Sequence, residues 1–341
     1  MKLVTKAAVL YQPKKPLRIE ELTIPALRPG QVLVRIAVAG FCRSQLNEIM
    51  GLKGPDRHLP HTLGHEGAGE VMAVGSKVRK VKKGDRVVLT WIRSKGHDVP
   101  GTFYKTKEGK TVHSGAVSTF LESAVVSENR VVPIPDRMPF PEAALLGCAV
   151  LTGAGMVFRT LKVKPGQSVA VFGAGGVGLS AILAASLAGA RSIVAVDVSR
   201  ENLLLAKKLG ASRLVRAQNR EAAVLRDFDY AIEASGDPRA MERAFSSVQN
   251  GGGVCLLAGN PAFGRKVSID PLCLIRGKRI LGSWGGDARP DEDIPRYVKL
   301  YSKKKLNLSA LIGAEYALDQ INRAVSDFRK GMPGRVLIRM Q

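Results

Sequence analysis

Cysteine is scarce in this chain: four in 341 residues, at 42, 148, 255 and 273, with no two in a CxxC spacing. That excludes a disulfide framework and reads as a chain of a reducing compartment, the cytoplasm by default. Aromatic residues are only 5%, and none interleave with the basic clusters at 77–83 and 303–305, so no RNA-binding signature is present. Long apolar runs are missing as well. The most apolar helical stretch, 179–190, is short and broken by Ser and Gly, which excludes a membrane span. The first sixteen residues carry charge throughout and contain no secretory h-region. Acid is also in short supply, 29 Asp and Glu against 52 Lys and Arg, for a net charge of +23. Such a balance raises nucleic acid, an acidic surface or an anionic substrate as partners. The basic clusters are short and acids are interspersed elsewhere, so solvated basic faces are expected, with nucleic acid disfavoured and an anionic alcohol the small molecule such a field would suit.

What the chain does contain is centred on 168–197, SVAVFGAGGVGLSAILAASLAGARSIVAVD. A short apolar run at 169–172 reads as a buried strand, the Gly-rich turn follows at once, and an Ala/Leu-rich helix leads to a second strand ending on Asp197. In Gly173-Ala174-Gly175-Gly176-Val177-Gly178, the first glycine permits the tight turn. Gly175 lets a diphosphate approach the backbone, and Gly178 lets helix and strand pack closely. Gly176 and Val177 open the helix whose N-terminus faces the phosphates. Asp197, 19 residues beyond Gly178, is placed to accept from an adenosine ribose diol and to repel a 2′-phosphate. NAD is therefore expected over NADP, with Arg200 the nearest basic residue that bears on the choice.

Up to about 150 the chain reads as β-rich, with short apolar runs at 32–38, 69–74 and 86–89 punctuated by Pro and Gly. Beyond 150, strand and helix alternate, with strands at 213–215, 229–233, 253–257 and 279–283 and helices at 200–209 and 238–248. Alternation of this kind implies a doubly wound parallel sheet, an α/β fold. The tail, with helices at 295–304 and 318–329 and a strand at 335–339, fits no further unit of that sheet and is expected to return to the first domain.

Three stretches in the β-rich part carry chemistry: Gly40-Phe41-Cys42-Arg43-Ser44, then the GHEGAGEV run at 64–71, then GCAVLTGAG at 147–155. One His, two Cys and a neighbouring Glu are the ligand types of a catalytic zinc that keeps a position open. Cys255 and Cys273 lie on apolar segments and read as small buried hydrophobes.

With GHEGAGEV, GCxxxTGxG and GAGGVG in this order, the chain resembles the zinc-dependent alcohol dehydrogenases of the medium-chain dehydrogenase/reductase superfamily over essentially its full length. The segment GAVSTFLESAVV (115–126) and GSWGG (282–286) most resemble the class that includes glutathione-dependent formaldehyde dehydrogenases. The resemblance implies a GroES-like β-rich catalytic domain at 1–149 completed by 284–341, and a Rossmann domain at 150–283. It implies one catalytic zinc on Cys42, His65 and Cys148, with Glu66 a carboxylate that can approach the metal. It further implies Ser44 as the hydroxyl bonding the substrate alcohol, Arg43 on the coenzyme diphosphate, and a homodimer or homotetramer through the strand at 279–283.

Three departures qualify the resemblance. Many relatives carry a structural zinc on a four-cysteine lobe after the GDRVV segment, and here that stretch contains no cysteine, so the lobe is expected to be shortened and that metal absent. Gln45 stands where an acid usually steadies the zinc-bound His. Asn47 stands where a proton-relaying His is common, and His58 or His61 is a candidate to take over the relay. The expected reaction is hydride transfer between an alcohol and NAD. Its alternatives are a polyol, sugar or aminocyclitol dehydrogenase, a zinc-free quinone or enone reductase, and a nucleic-acid binder on a dehydrogenase scaffold. Trp91, Phe103, Phe120 and Trp284 are expected, by position, to wall the substrate pocket.

Overall fold

The structure is a computed structural model and describes residues 3–340. The chain divides into two compact units. The first runs to Cys148 and takes in Arg289–Ser302 and the chain from Ile312 onward; the second comprises Ala149–Ala288 and Lys303–Leu311. The segment after 284 is thus shared, since 303–311 goes with the second unit.

In chain order the first unit contributes strands β1 (Val4–Leu10), β2 (Arg18–Thr23), β3 (Gln31–Phe41), β4 (His61–Thr62), β5 (Glu66–Val74), β6 (Arg86–Thr90), β7 (Phe103–Lys105), β8 (Thr111–His113), β9 (Ser123–Ser127) and β10 (Val131–Pro133), and helix α1 (Arg43–Ile49). The second unit holds β11 (Ser168–Phe172), β12 (Ser192–Asp197), β13 (Arg213–Arg216), β14 (Tyr230–Glu233), β15 (Val254–Leu257) and β16 (Arg279–Gly282). The chain then returns to the first with β17 (Ile312–Ala317) and β18 (Arg335–Arg339).

Strands β1, β2, β7, β8 and β4 form a closed barrel, and a second sheet of the same unit runs β10-β6-β5-β3-β18-β17, with β9 also on β3. The eleven residues of β3 pair with β5, β9 and β18, and nearly all are buried. Their sequence, QVLVRIAVAGF, is apolar almost without alternation because both faces are covered. Phe41 at its end stacks on Phe120 with ring centroids 5.7 Å apart. Phe120 is fully buried in this core, so it supports the fold and does not wall a pocket as its position suggested.

The stretch without cysteines is fastened by a carboxylate. Glu128, 2% exposed, accepts from the backbone N–H groups of Arg79 (2.6 Å), Lys80 (2.7 Å) and His97 (2.9 Å) and lies 2.6 Å from His97 Nδ1. Burial pushes this carboxyl up, but the hydrogen bonds from His97, Arg79 and Lys80 outweigh it and hold its pKa at about 2. The folded value is depressed, so the contribution is complete above the unfolded pKa of 4.5 and is lost as pH falls toward about 2. Glu128→Gln is expected to cost about 3 kcal/mol at neutral pH. In denaturant titrations its deficit should shrink steadily between about pH 4.5 and 2; a deficit independent of pH would contradict this account.

In the second unit the sheet order is β13-β12-β11-β14-β15-β16, with every pair parallel. The order folds outward in both directions from β11, the doubly wound arrangement that places ligands at the carboxyl ends of the strands. Helix Gly176–Leu187 after β11 is buried from Gly178 to Ala185 and has almost no polar face, which explains its Ala-rich composition.

One helix starts earlier than the sequence pattern suggests. It spans Pro290–Ser302 with Pro295 inside, rather than beginning at Pro295. Pro290 supplies the first-turn proline, Asp291, Glu292 and Asp293 supply the acidic first turn, and Asp293 accepts from Arg289 N at 2.8 Å. Among the described residues no helix is long and apolar enough to cross a membrane.

Candidate active site

Three chain segments of the first unit converge. Cys42 follows the end of β3, His65 immediately precedes β5, and Cys148 closes the unit after helix Phe140–Leu145. Their Sγ, ring-nitrogen and Sγ atoms all lie within 4.8 Å of one another, and His65 Nε2 is 3.2 Å from Cys148 Sγ. Tetrahedral zinc with bonds of about 2.3 Å to sulfur and 2.0–2.1 Å to nitrogen needs ligand atoms about 3.5–3.8 Å apart, so the set fits with small side-chain adjustments. Both cysteines are buried. The Cys42 thiol is drawn well below its ordinary value by the hydrogen bond with Cys148, against burial, and with help from the Arg335 and His65 charges. The Cys148 thiol is pushed well above its own by the same bond and by burial. A dication bound by the pair requires both thiols to ionise.

Gln45 answers the question of what orients His65. Its amide lies 2.6 Å from His65 Nδ1. With the amide oxygen turned toward the ring it accepts the Nδ1–H, which leaves Nε2 as the lone pair facing the thiols. In the opposite orientation Oε1 is buried without a partner, which favours the first. Trp91 packs edge-on against the His65 ring at 6.3 Å between centroids.

Glu66 is not among the three converging donors. Its side chain is fully buried and its Oε1 accepts from Arg335 Nε at 2.5 Å. Arg335, 3% exposed, comes from β18, which pairs antiparallel with β3 so that Val336 faces Phe41. This arginine has no signal in the sequence. It heads the strand RVLIR, where a terminal arginine looks solvated, and only the strand pairing brings it beside Glu66, 269 positions away. Ser44, in the first turn of α1, is half-buried, and Asn47 is buried. Arg43 is exposed, with its guanidinium over the Phe328 ring at 5.3 Å.

In the second unit the Gly-rich turn adopts the backbone its glycines permit. Gly173 has φ +90°, and a Cβ on Gly178 would lie 1.8 Å from the Gly173 carbonyl oxygen, whereas one on Gly175 would meet nothing. That opening, at the helix N-terminus, is a cradle of the kind a diphosphate fills. Asp197 is 8% exposed; its Oδ2 accepts from Ala174 N at 2.6 Å and its Oδ1 from Ser199 N at 2.7 Å. It lines a cavity of about 320 Å³ together with Gly173, Gln218, Ser235, Arg239 and Arg243. Arg200 is exposed, heads the next helix and lies outside this lining. Trp284, also of this unit, is 79% exposed, while Cys255 is fully buried and Cys273 half-buried.

A Cys2His donor set on a β-rich unit and a Gly-rich cradle on a doubly wound sheet define a metal- and nucleotide-binding oxidoreductase. Residues 28–136 match the alcohol dehydrogenase GroES-like domain, and 176–303 match the zinc-binding dehydrogenase domain. The chain is 32% identical to an alcohol dehydrogenase zinc-binding domain protein from Burkholderia ambifaria, covering all of both chains with a TM-score of 0.92. It is 30% identical to benzyl alcohol dehydrogenase from Acinetobacter calcoaceticus, covering 99% of this chain and all of that one, TM-score 0.89. To 2R,3R-butanediol dehydrogenase from Bacillus subtilis it is 27% identical with the same coverage and a TM-score of 0.79. The chain belongs to the zinc-dependent alcohol dehydrogenases of the medium-chain dehydrogenase/reductase superfamily.

Proposed function

We propose that this oxidoreductase transfers a hydride between a primary or secondary alcohol and NAD, giving an aldehyde or ketone. The observation that carries the reading is the convergence of Cys42, His65 and Cys148, three donors where a closed structural site has four. A zinc ion held by these residues supplies Lewis acidity toward the alcohol oxygen, and bound NAD supplies the hydride acceptor. The two thiolates balance a dication, Gln45 fixes the His65 ring, and Arg335 neutralises Glu66. The site charge is therefore close to zero before substrate enters. We assign Ser44 to receive the alcohol proton and pass it outward. Asn47 cannot titrate, so it positions rather than relays. The cradle from Gly173 to Gly178 is assigned to the diphosphate. Two of the similar structures bear the names of enzymes acting on an aromatic alcohol and on a diol, which sets the first substrates to try. The test is metal analysis of the purified protein paired with NAD reduction across benzyl alcohol, 2,3-butanediol and other polyols. Zinc at the thiolate site with alcohol-dependent NADH formation supports the reading, and protein without zinc or without any alcohol activity sinks it.

Asp197 supports NAD over NADP, since its buried carboxylate already accepts from the backbone of the Gly-rich turn and would meet a 2′-phosphate with like charge. Asp197→Ser is expected to lower kcat/KM for NAD about tenfold or more and to raise it for NADP, shifting the ratio by about 2–3 kcal/mol. An unchanged ratio in steady-state kinetics would remove Asp197 from the coenzyme site.

For the assembly we propose a homodimer through β16, which ends the sheet order. Leu281 on that strand is 46% exposed and Ile275 in the helix before it 80%, exposed apolar surface at the end of the sheet that a second copy would cover symmetrically. Ile275→Glu with Leu281→Lys should give a monomer by light scattering where the parent is a dimer.

A further inference from the structure

Four of the five histidines, His58, His61, His65 and His113, line one cavity of about 410 Å³ in the first unit. Two carboxylates, Glu48 and Asp56, share it. From these groups we infer a second metal centre, built from Glu48, Asp56 and His61, that takes a first-row divalent cation in oxygen and nitrogen coordination. It is independent of the thiolate site.

The case begins with one hydrogen bond. His61, buried at 5% exposure, has its Nδ1 2.9 Å from the Thr62 carbonyl oxygen. A carbonyl only accepts, so Nδ1 carries the hydrogen. In the neutral ring Nε2 then presents a lone pair, and it lies 2.9 Å from Asp56 Oδ2 and 3.8 Å from Glu48 Oε1. Lone pairs facing each other at that distance repel unless a cation holds them. A ring nitrogen fixed by a backbone carbonyl while the other faces carboxylates is the usual arrangement of a metal-ligating histidine.

The spacing also suits a metal. With metal–ligand bonds of about 2.05 Å, adjacent donors of an octahedron are about 2.9 Å apart, the separation found between His61 Nε2 and Asp56 Oδ2. All three donor atoms lie within 4.8 Å of one another. Asp56 is aimed by its own loop, since its Oδ1 accepts from His58 N at 2.8 Å and leaves Oδ2 for His61. Lys53 occupies only Oε2 of Glu48, at 2.9 Å, and is 44% exposed, so Oε1 remains available. A mixed imidazole and carboxylate set selects Mn²⁺, Co²⁺, Ni²⁺ or Zn²⁺ over Mg²⁺ or Ca²⁺, which favour all-oxygen ligands. Glu48 is on α1, the helix that carries Gln45, Asp56 is on the loop leading to β4, and His61 is the first residue of β4. A cation here clamps the loop to the helix whose Gln45 orients His65.

The test uses the intact protein, stripped by a chelator and titrated with Co²⁺. Cobalt bound to thiolates gives an intense sulfur-to-metal charge-transfer band, whereas cobalt on oxygen and imidazole gives only weak d–d absorption, so the two sites are read separately. Wild type is expected to bind two equivalents. His61→Gln and Asp56→Asn should each lose the equivalent without the sulfur band and keep the other, with circular dichroism confirming the fold. Cys42→Ser should do the reverse. A wild type that binds one equivalent, with the sulfur band, overturns the inference and leaves a proton as the cation on His61. A second equivalent that survives both His61→Gln and Asp56→Asn also overturns it. Absence of the sulfur band alone would strike the proposed catalytic site and not this one.

Discussion

Cys42→Ser is expected to lower alcohol-dependent NAD reduction by about a thousandfold or more and to leave NAD binding nearly unchanged. The site depends on charge. Two thiolates offset a dication, and the buried Glu66 and Arg335 offset each other. Serine at 42 does not ionise at neutral pH, so the site loses one anion and one soft ligand together and its affinity for zinc falls with them. Lewis-acid stabilisation is worth several kcal/mol, and about 4 kcal/mol is a thousandfold in rate. The nucleotide cradle, by contrast, is made entirely by residues of the second unit, Gly173 to Gly178 with Asp197. Cys148→Ser should behave in the same way. The measurement is kcat/KM alongside zinc content and NADH fluorescence on binding. A Cys42→Ser protein that is free of zinc and fully active would overturn the zinc assignment.

The nucleotide unit is legible in the sequence because its signals are local. A run of β-branched residues, a glycine at each position that needs one and a terminal acid all fall within 168–197, and parallel strands covered on both faces read as unbroken apolar runs. The thiolate site is different. Cys42, His65 and Cys148 are 23 and 83 positions apart, and no periodicity says that the end of β3, the start of β5 and the turn after Phe140–Leu145 meet. Their grouping was readable through family motifs alone. Arg335 was not readable at all, since its burial follows from the antiparallel pairing of β18 with β3. Gln45 stands out in the sequence as a departure, but its contact with His65 arises only where α1 approaches the residue before β5. Glu128 was invisible for a similar reason, because three of its four donors are backbone N–H groups, which every residue but proline carries.

Arg335→Met is expected to destabilise the first unit by about 3–5 kcal/mol, because Glu66, with no solvent exposure, would be left a buried anion without its cation. In thermal unfolding this corresponds to a drop of roughly 6–20 °C. Glu66→Met with Arg335→Met should recover most of the loss, since well-packed apolar replacements of a buried pair are often neutral. The fold alone does not exhaust the effect of the arginine. After the hydrogen bond with Cys148 and the opposing burial, the Arg335 charge is the next influence on Cys42, and it favours the thiolate. Removing it raises that thiol, so zinc uptake by Arg335→Met should shift to higher pH than in the wild type, because the ligand must be deprotonated to bind. In the double variant the loss of Glu66, whose charge raises the Cys148 thiol, acts the other way and should bring the uptake curve back toward wild type. The two variants separate the roles: an uptake curve shifted to higher pH in Arg335→Met and restored in the stable double variant shows that the charge of Arg335 tunes the thiolates against that of Glu66, and a curve unshifted in Arg335→Met shows that the arginine serves only to pair Glu66.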